Sequence, residues 1–396
     1  MSNNTKMSLS EIRASLFLAS VYGLRMLGMF LILPIFAIYA SGLPGSPSQL
    51  QIGIALGIYG LTQAVFQIPF GMSSDFFGRK KVIYFGLALF VLGSIIAATS
   101  THIESIIIGR AIQGAGAISA VLTALLSDLT RDEHRTKAMA IVGASIGLTF
   151  ALSLVISPWL NNKIGVPGIF FMMAILSILA AIIIHFFIHE TKRVNKKTAL
   201  NLKDFYAVLG RFDLGRLNLG IFVLHVAQIS MFMVVPFYLI QQGNLPLYDH
   251  WMIYLPVLLG SFILIIPIII FSEKLKKTKL TFLLSILILF AAQCSFIYFS
   301  NDLVGIIISL LIYFVGFNFL EASLPSLVSR IAPANQKGLA LGVYNTSQSL
   351  GIFVGGFVGG LITTFYGYSG TFLFCGALIF IWFIFSLNMN IPINKS

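Results

Sequence analysis

Long apolar segments recur twelve times along this chain, and they limit its possible folds more than any other feature. Each is close to the ~20 apolar residues that an α-helix needs to cross the ~30 Å hydrocarbon core of a bilayer. The alternating segments of a membrane β-barrel do not occur in the sequence. The pattern predicts an all-α membrane protein with twelve transmembrane helices, here called spans 1 to 12. They cover approximately residues 14–40, 51–72, 82–99, 105–127, 137–160, 168–188, 217–242, 250–272, 280–299, 303–329, 338–363 and 368–389.

The charged residues exclude a water-soluble fold and predict how the spans are oriented. Only 10% of the residues are charged and 58% are hydrophobic, whereas a soluble domain has about 25% charged residues. All 25 lysines and arginines except Arg25, Arg110 and Lys163 lie at the termini or in the even-numbered connections between spans. Because basic loops stay in the cytoplasm, both termini are predicted to be cytoplasmic. The net charge of +12 then follows from topology, so we expect contact with the lipid bilayer and none with nucleic acid.

The longest polar stretch divides the twelve spans into six and six. It predicts an N-terminal bundle over residues 1–188, a cytoplasmic linker over 189–216 and a C-terminal bundle over 217–396. Weak self-similarity supports this symmetry, because Gly116 in span 4 matches Gly316 in span 10, 200 residues later. Internal repeats are typical of secondary transporters. We expect the first span to remain in the mature protein and no soluble domain to follow span 12.

The connection after span 2 carries a motif that reads GMSSDFFGRKK, from Gly71 to Lys81. We interpret Gly71 and Gly78 as the residues that permit a tight turn between two helices. Asp75 can pair with a base or cap the positive end of a helix. The alternative is an ordinary basic loop, but such a loop requires neither a carboxylate nor paired glycines.

Glycines repeat at four-residue spacing in three spans, which places them on one face of each helix. The pairs are Gly53 and Gly57 in span 2, Gly143 and Gly147 in span 5, and Gly351 and Gly355 in span 11. Small residues let another backbone approach closely. We therefore expect the glycines of span 2 to meet those of span 11 in a contact that slides during transport. Static packing is the alternative.

Four ionisable residues lie inside apolar spans, where a charge is costly and usually functional. They are Arg25 in span 1, Arg110 in span 4, His225 in span 7 and Glu321 in span 10. An apolar environment favours the uncharged form of a carboxylic acid. We therefore predict that Glu321 carries the coupling proton and that His225 interacts with it. For His225, a hydrogen-bonded packing role is the alternative, and for Arg110 the alternative is a structural side chain that reaches the outer membrane boundary.

Polar side chains near these charges extend the candidate site. Gln113 follows Arg110 by three residues and Asn318 precedes Glu321 by three, so each pair shares one helix face. We expect Arg25, Arg110, Gln113 and Asn318 to line a central cavity and contact the substrate.

The sequence contains no convincing enzyme motif. The pattern GASIG, from Gly143 to Gly147, fits a nucleophile elbow, but it lies in an apolar helical run without the preceding strand. Phosphate-binding loops and zinc-binding helix motifs are missing from the sequence. Cys294 and Cys375 both lie in apolar runs and lack metal-ligand spacing. We therefore expect no enzymatic activity and no cofactor, with the proton gradient as the driving force.

Taken together, these motifs resemble those of the major facilitator superfamily. The pattern G-x3-D-x2-G-R-K-K after span 2 is that family's signature, and R-x-x-Q-G, starting at Arg110, resembles a motif of its proton-coupled members. The resemblance implies two pseudo-symmetric six-helix bundles around a cavity lined by spans 1, 4, 7 and 10. It also implies that Asp75, Arg79 and Asp128 form a charge cluster at the cytoplasmic ends of spans 2 and 4, facing span 11.

The function implied by the resemblance is proton-driven export of small molecules, as in drug/proton antiporters, by alternating access. The expected location is the inner membrane of a bacterial cell, and the expected state is a monomer that binds a small-molecule substrate and protons. A proton-linked or facilitative carrier of a small metabolite such as a sugar is the first alternative. A membrane protein without transport activity is the second.

Overall fold

The computed structural model describes residues 7–188, 207–274, 277–333 and 336–389, and this part of the chain is helical without any strand. Short 3-10 helices occupy Asp132–His134 and Leu247–Asp249. The α-helices are α1 (Leu9–Ile32), α2 (Phe36–Ser41), α3 (Gln49–Phe77), α4 (Arg79–Thr99), α5 (Ile103–Ala115), α6 (Ser119–Asp128), α7 (Arg135–Phe187), α8 (Phe212–Gly243), α9 (Trp251–Lys274), α10 (Thr278–Tyr298), α11 (Leu303–Ile331) and α12 (Lys337–Ser386).

Ten helical stretches in the described residues are long and apolar enough to cross a bilayer. Two of them, Lys137–Phe187 and Lys337–Ser386, contain a glycine with a positive φ, 67° at Gly165 and 69° at Gly367. This backbone conformation is available to glycine but strained for other residues, and here it ends one span and begins the next. The all-α membrane fold is confirmed, and with both stretches counted as two spans the described residues are consistent with the twelve predicted spans.

The chain divides into two compact units. The first consists of Met1–Phe36 and Leu61–Lys196, and the second of Ala37–Gly60 and Lys197–Ser396. Helix α3 therefore contributes its first part to the second unit and its remainder to the first. Most of the predicted linker 189–216 lies outside the described residues, so the domain boundaries taken from the sequence stay a prediction.

Two of the predicted spans are not continuous helices. Span 1 is interrupted between α1 and α2, where Pro34 provides no backbone N–H. Span 4 is interrupted between Ala115, the last residue of α5, and Ser119, the first residue of α6. The matching Gly316 of span 10 lies inside the continuous helix α11. The interruption of span 4 therefore breaks the internal symmetry that the sequence suggested.

Local hydrogen bonds fix the starts of two helices. The Ser8 hydroxyl accepts from Glu11 N (3.2 Å) while Ser8 N donates to Glu11 Oε2 (2.8 Å), which forms a capping box at the start of α1. Asp302 Oδ2 accepts from Gly305 N (2.8 Å) at the start of α11. These caps satisfy backbone donors that have no partner within the helix.

Candidate functional site

In the first unit, the structure brings together the acidic and basic residues of the motif after span 2. Arg79 Nη1 lies 2.6 Å from Asp75 Oδ1, and Arg79 Nε lies 3.0 Å from Asp128 Oδ2. Arg79 Nη1 also donates to Ser74 Oγ (2.5 Å). One guanidinium group thus connects the end of α3 and the end of α6 to the start of α4. The placement of this cluster facing span 11 stays a prediction.

The turn between α3 and α4 depends on Gly78 alone. Its φ of 96° is strained for any residue with a side chain. Gly71 instead lies inside α3, where an added Cβ would make an ordinary 3.6 Å contact with Ala120 Cβ. The predicted role of Gly71 in the turn is therefore wrong, because the helix continues through this residue to Phe77.

Side chains of α1 bind the interruption in span 4. Arg25, which is buried, donates from Nη1 to Ser119 Oγ (2.6 Å) and from Nη2 to Gly116 O (3.4 Å). The Tyr22 hydroxyl lies 2.5 Å from Ser119 O and 2.6 Å from Thr123 Oγ1. The end of α5 carries partial negative charge, which the Arg25 cation stabilises. In this structure Arg25 therefore positions the two halves of span 4.

Arg110 and Gln113 bond to each other inside the first unit. Arg110 Nη1 donates to Gln113 Oε1 (3.1 Å), and Gln113 Nε2 donates to Ser94 Oγ (2.8 Å). Both side chains are buried. Beside them α4 and α5 pack closely, since a Cβ on Gly93 would lie 2.6 Å from Gln113 N. Contact of either side chain with a substrate stays a prediction.

In the second unit, His225 connects α8 to α12. Its Nδ1 lies 3.2 Å from Ile221 O, and its Nε2 lies 2.8 Å from Gln348 Nε2. These contacts fit a neutral ring that donates from Nδ1 and accepts at Nε2. The ring centroid of His225 is 6.2 Å from that of Phe317 in α11. Sequence reasoning missed Gln348, because an uncharged amide in span 11 gives no signal of its own.

Glu321 is half-buried in α11, and within the described ranges its buried Oε2 has no hydrogen-bond partner. Two tyrosines of the same unit, Tyr313 in α11 and Tyr344 in α12, are buried as well. In the part of the chain that the structure covers, Glu321 forms no ion pair with His225, so the predicted interaction between them is not direct. Asn318, one turn before Glu321, donates from Nδ2 to Ser261 Oγ (3.0 Å) and so connects α11 to α9.

The glycines of span 2 pack against α12, but on a different face from the one predicted. A Cβ on Gly53 would overlap Gly356 O, and a Cβ on Gly57 would lie 2.8 Å from Phe353 O. Gly351 and Gly355 instead face α8, where a Cβ on Gly355 would lie 2.7 Å from Val226 O. The predicted pairing of span 2 with Gly351 and Gly355 is therefore wrong.

The glycines of span 5 make no close helix contact here. An added Cβ on Gly143 or Gly147 would meet no atom of the described residues within 4 Å. The packing of α7 on α1 uses hydroxyl groups instead: Ser145 Oγ donates to Ala19 O (2.8 Å), and Ser157 Oγ donates to Leu31 O. The predicted close approach at the span 5 glycines is wrong for this structure.

An ion pair that sequence reasoning missed joins the start of α1 to the connection after α6. Glu11, which is buried, accepts from Arg131 Nε (3.0 Å), Nη2 (3.0 Å) and backbone N (2.9 Å). The hydrogen bond that Arg131 donates to the Glu11 carboxylate raises the pKa of Arg131 above its usual value. The spacing of Ser8 and Glu11, which is that of a capping box, was the available signal.

Comparison with known proteins identifies the family. The sequence profile of the Major Facilitator Superfamily matches residues 18–356 and, separately, 250–392. The chain belongs to the Major Facilitator Superfamily. It is a multi-pass membrane protein of a transporter family.

Three known proteins illustrate this relationship. The chain is 42% identical to the inner membrane transport protein YajR of Escherichia coli (strain K12), over 99% of this chain and 89% of YajR. It is 25% identical to the quinolone resistance protein NorA of Staphylococcus aureus (strain COL), over 85% of this chain and 86% of NorA. The crystal structure of a D-xylose-proton symporter has the same fold, with a TM-score of 0.75 and 16% identity, over 98% of this chain and 99% of that chain.

Proposed function

We propose that this protein is a proton-coupled secondary transporter that exports small molecules across the inner membrane of a bacterial cell. It works by alternating access around a central cavity, with both termini in the cytoplasm. The observation that carries the proposal is Glu321, a carboxylic acid inside the otherwise apolar helix α11. Within the residues that the structure covers, its Oε2 is buried and has no hydrogen-bond partner.

The chemistry of a buried carboxyl group connects proton binding to a change of conformation. An ionised carboxylate without a partner is costly in an apolar environment, whereas its protonated form is tolerated. The protonated and ionised forms of Glu321 therefore favour different surroundings. When one group titrates and each of its forms favours a different conformation, proton binding shifts the population between the conformations. Proton movement down its gradient then drives substrate movement up its own.

The direction of transport is proposed from the relatives. The chain matches most of the length of NorA, a relative named for quinolone resistance. This relationship supports export of a small organic molecule. The alternative substrate class is a sugar, since the fold is shared with a D-xylose-proton symporter. The experiment below separates these two possibilities.

The test is transport into proteoliposomes with an imposed pH difference, with a quinolone and D-xylose as separate probes. The wild-type protein should accumulate the quinolone against its gradient only when the pH difference is present. Glu321→Gln mimics the protonated acid but cannot titrate. We expect it to exchange the quinolone across the membrane without accumulating it.

Glu133→Gln is the matched control, because Glu133 is exposed, and it should behave like the wild type. Accumulation by Glu321→Gln with the wild-type pH dependence would show that another group carries the proton. Accumulation of D-xylose but not of the quinolone would favour the sugar carrier. Failure of the folded wild-type protein to move either probe would contradict both.

A further inference from the structure

Three helices of the second unit, α8, α11 and α12, meet at His225, one helical turn from Glu321. In one layer, the ring centroids of His225 in α8 and Phe317 in α11 lie 6.2 Å apart. In the same layer, His225 Nε2 lies 2.8 Å from Gln348 Nε2 of α12. Residues four apart lie on the same face of a helix. Glu321 is therefore on the α11 face that carries Phe317, and Tyr344 is on the α12 face that carries Gln348. Glu321 follows Phe317 by one helical turn, and Tyr344 precedes Gln348 by one turn. Both therefore lie nearer the α11–α12 connection, and they form the second layer.

The second layer lies on the side of the α11–α12 connection. Helix α11 ends at Ile331 and α12 begins at Lys337. At 1.5 Å per residue, Glu321 lies about 15 Å and Tyr344 about 10 Å from these ends. The basic residues of this connection predict that it is cytoplasmic. Tyr344 therefore lies about 5 Å nearer than Glu321 to the predicted cytoplasmic end of the second unit.

The polar atoms of the second layer have unused hydrogen-bonding capacity. Tyr344 is 3% exposed, and neither its hydroxyl nor Glu321 Oε2 has a hydrogen-bond partner in the described ranges. A buried polar atom without a partner is costly, and a water molecule is the usual group that satisfies it. A carboxyl group, a hydroxyl group and water together form a chain along which a proton can move.

We propose that the Tyr344 hydroxyl conducts the proton between Glu321 and the predicted cytoplasmic end of the second unit. A water molecule between the two groups takes the Glu321 proton and gives one of its own protons to the Tyr344 oxygen, while the original hydroxyl proton passes to a second water molecule. Glu321 becomes a carboxylate, Tyr344 stays neutral, and the hydrated proton leaves toward the α11–α12 connection. This path rests on the proposed function of Glu321, and it runs inside the second unit.

The test is the rate of hydrogen–deuterium exchange at the Glu321 carboxyl group, measured by infrared spectroscopy on the full-length protein in liposomes. The probe is D2O, so no substrate is needed. Glu321→Gln identifies the band of the protonated carboxyl group by removing it. Tyr344→Phe keeps the ring and removes only the hydroxyl. We expect it to slow the exchange about five- to tenfold, the effect of losing one hydrogen bond, here the one between the Tyr344 oxygen and the bridging water molecule.

Two further variants separate proton conduction from packing. Tyr344→His restores a group that exchanges protons, so its rate should return toward that of the wild type. Tyr313→Phe removes another buried hydroxyl that lacks a partner in the described residues, two turns from Glu321 on the far side from the connection. Its rate should stay within about twofold of the wild type, less than the effect of one hydrogen bond.

Each outcome decides the proposal. A wild-type exchange rate in Tyr344→Phe overturns the path while leaving Glu321 as proton carrier. Equal slowing in Tyr344→His and Tyr344→Phe also overturns it, because the effect is then one of packing. If Glu321→Gln removes no band between pH 5 and pH 8, Glu321 takes up no proton in that range, the interval in which proteins commonly work. That result overturns the path and the proposed function together.

Discussion

The contact between α3 and α12 allows a sharp prediction about Gly356. An added Cβ at this position would overlap Gly53 O and lie 2.9 Å from Gly57 N and 3.0 Å from Gly57 Cα. All three atoms belong to backbone, which cannot rotate away as a flexible side chain can. We therefore expect Gly356→Ala to push the two helices apart within the second unit.

The cost follows from a comparison with Gly342 on the same helix, where an added Cβ would meet no described atom within 4 Å. Glycine-to-alanine substitution in a helix is itself favourable by about 1 kcal/mol, and this gain is common to both variants. Overpacking costs about 1–3 kcal/mol and affects only Gly356→Ala. The free energy of unfolding of Gly356→Ala should therefore be lower than that of Gly342→Ala by about 1–3 kcal/mol.

The assay is reversible unfolding in mixed micelles at increasing mole fraction of a denaturing detergent, followed by circular dichroism. Both variants are compared with the wild type in the same lipid-like detergent. Equal unfolding free energies for Gly356→Ala and Gly342→Ala would refute the reasoning. They would mean that α3 and α12 do not approach each other closely in the protein in solution.

Three further predictions concern the first unit. Asp75→Asn removes the 2.6 Å partner of Arg79 and should raise the inward-open population without loss of folding. Distances between spin labels at the cytoplasmic ends of the bundles measure this, and an unchanged distribution would contradict it. Glu11→Gln should lower the midpoint of thermal unfolding more than Arg131→Lys does, because Arg131→Lys keeps a positive charge and loses only the guanidinium fork. Equal midpoints for the two variants would argue against this ion pair. Tyr22→Phe should lower the free energy of unfolding by about 1 kcal/mol, the contribution of a hydrogen bond. An unchanged free energy of unfolding in the mixed-micelle assay would show that this hydroxyl does not stabilise the interruption in span 4.

The number of spans could be predicted from the sequence, because the length of an apolar segment is a local property. The interruption of span 4 could not. Gly116 and Gly316 occupy matching positions in the two halves, yet only Gly116 interrupts its span. What distinguishes them is tertiary: Arg25 and Tyr22 of α1 bind the interruption. No pattern within span 4 contains that information.

The glycine contacts show a similar limit. The sequence indicates that α12 has small residues, but neighbouring positions on a helix point about 100° apart. Gly355 faces α8 and Gly356 faces α3. Only the packed structure shows which glycine contacts which helix. The charged residues were easier to find, because Glu321 and His225 stand out in apolar spans. Their uncharged neighbours Tyr344 and Gln348 did not.

The most direct test of the central claim is the number of protons released when substrate binds. The purified protein in weakly buffered detergent is mixed with the quinolone, and a pH indicator dye reports the release. If Glu321 is the coupling group, the wild type should release protons on binding, and the release should disappear in Glu321→Gln while binding itself persists. Undiminished proton release from Glu321→Gln would contradict the account, because a group other than Glu321 would then exchange the proton.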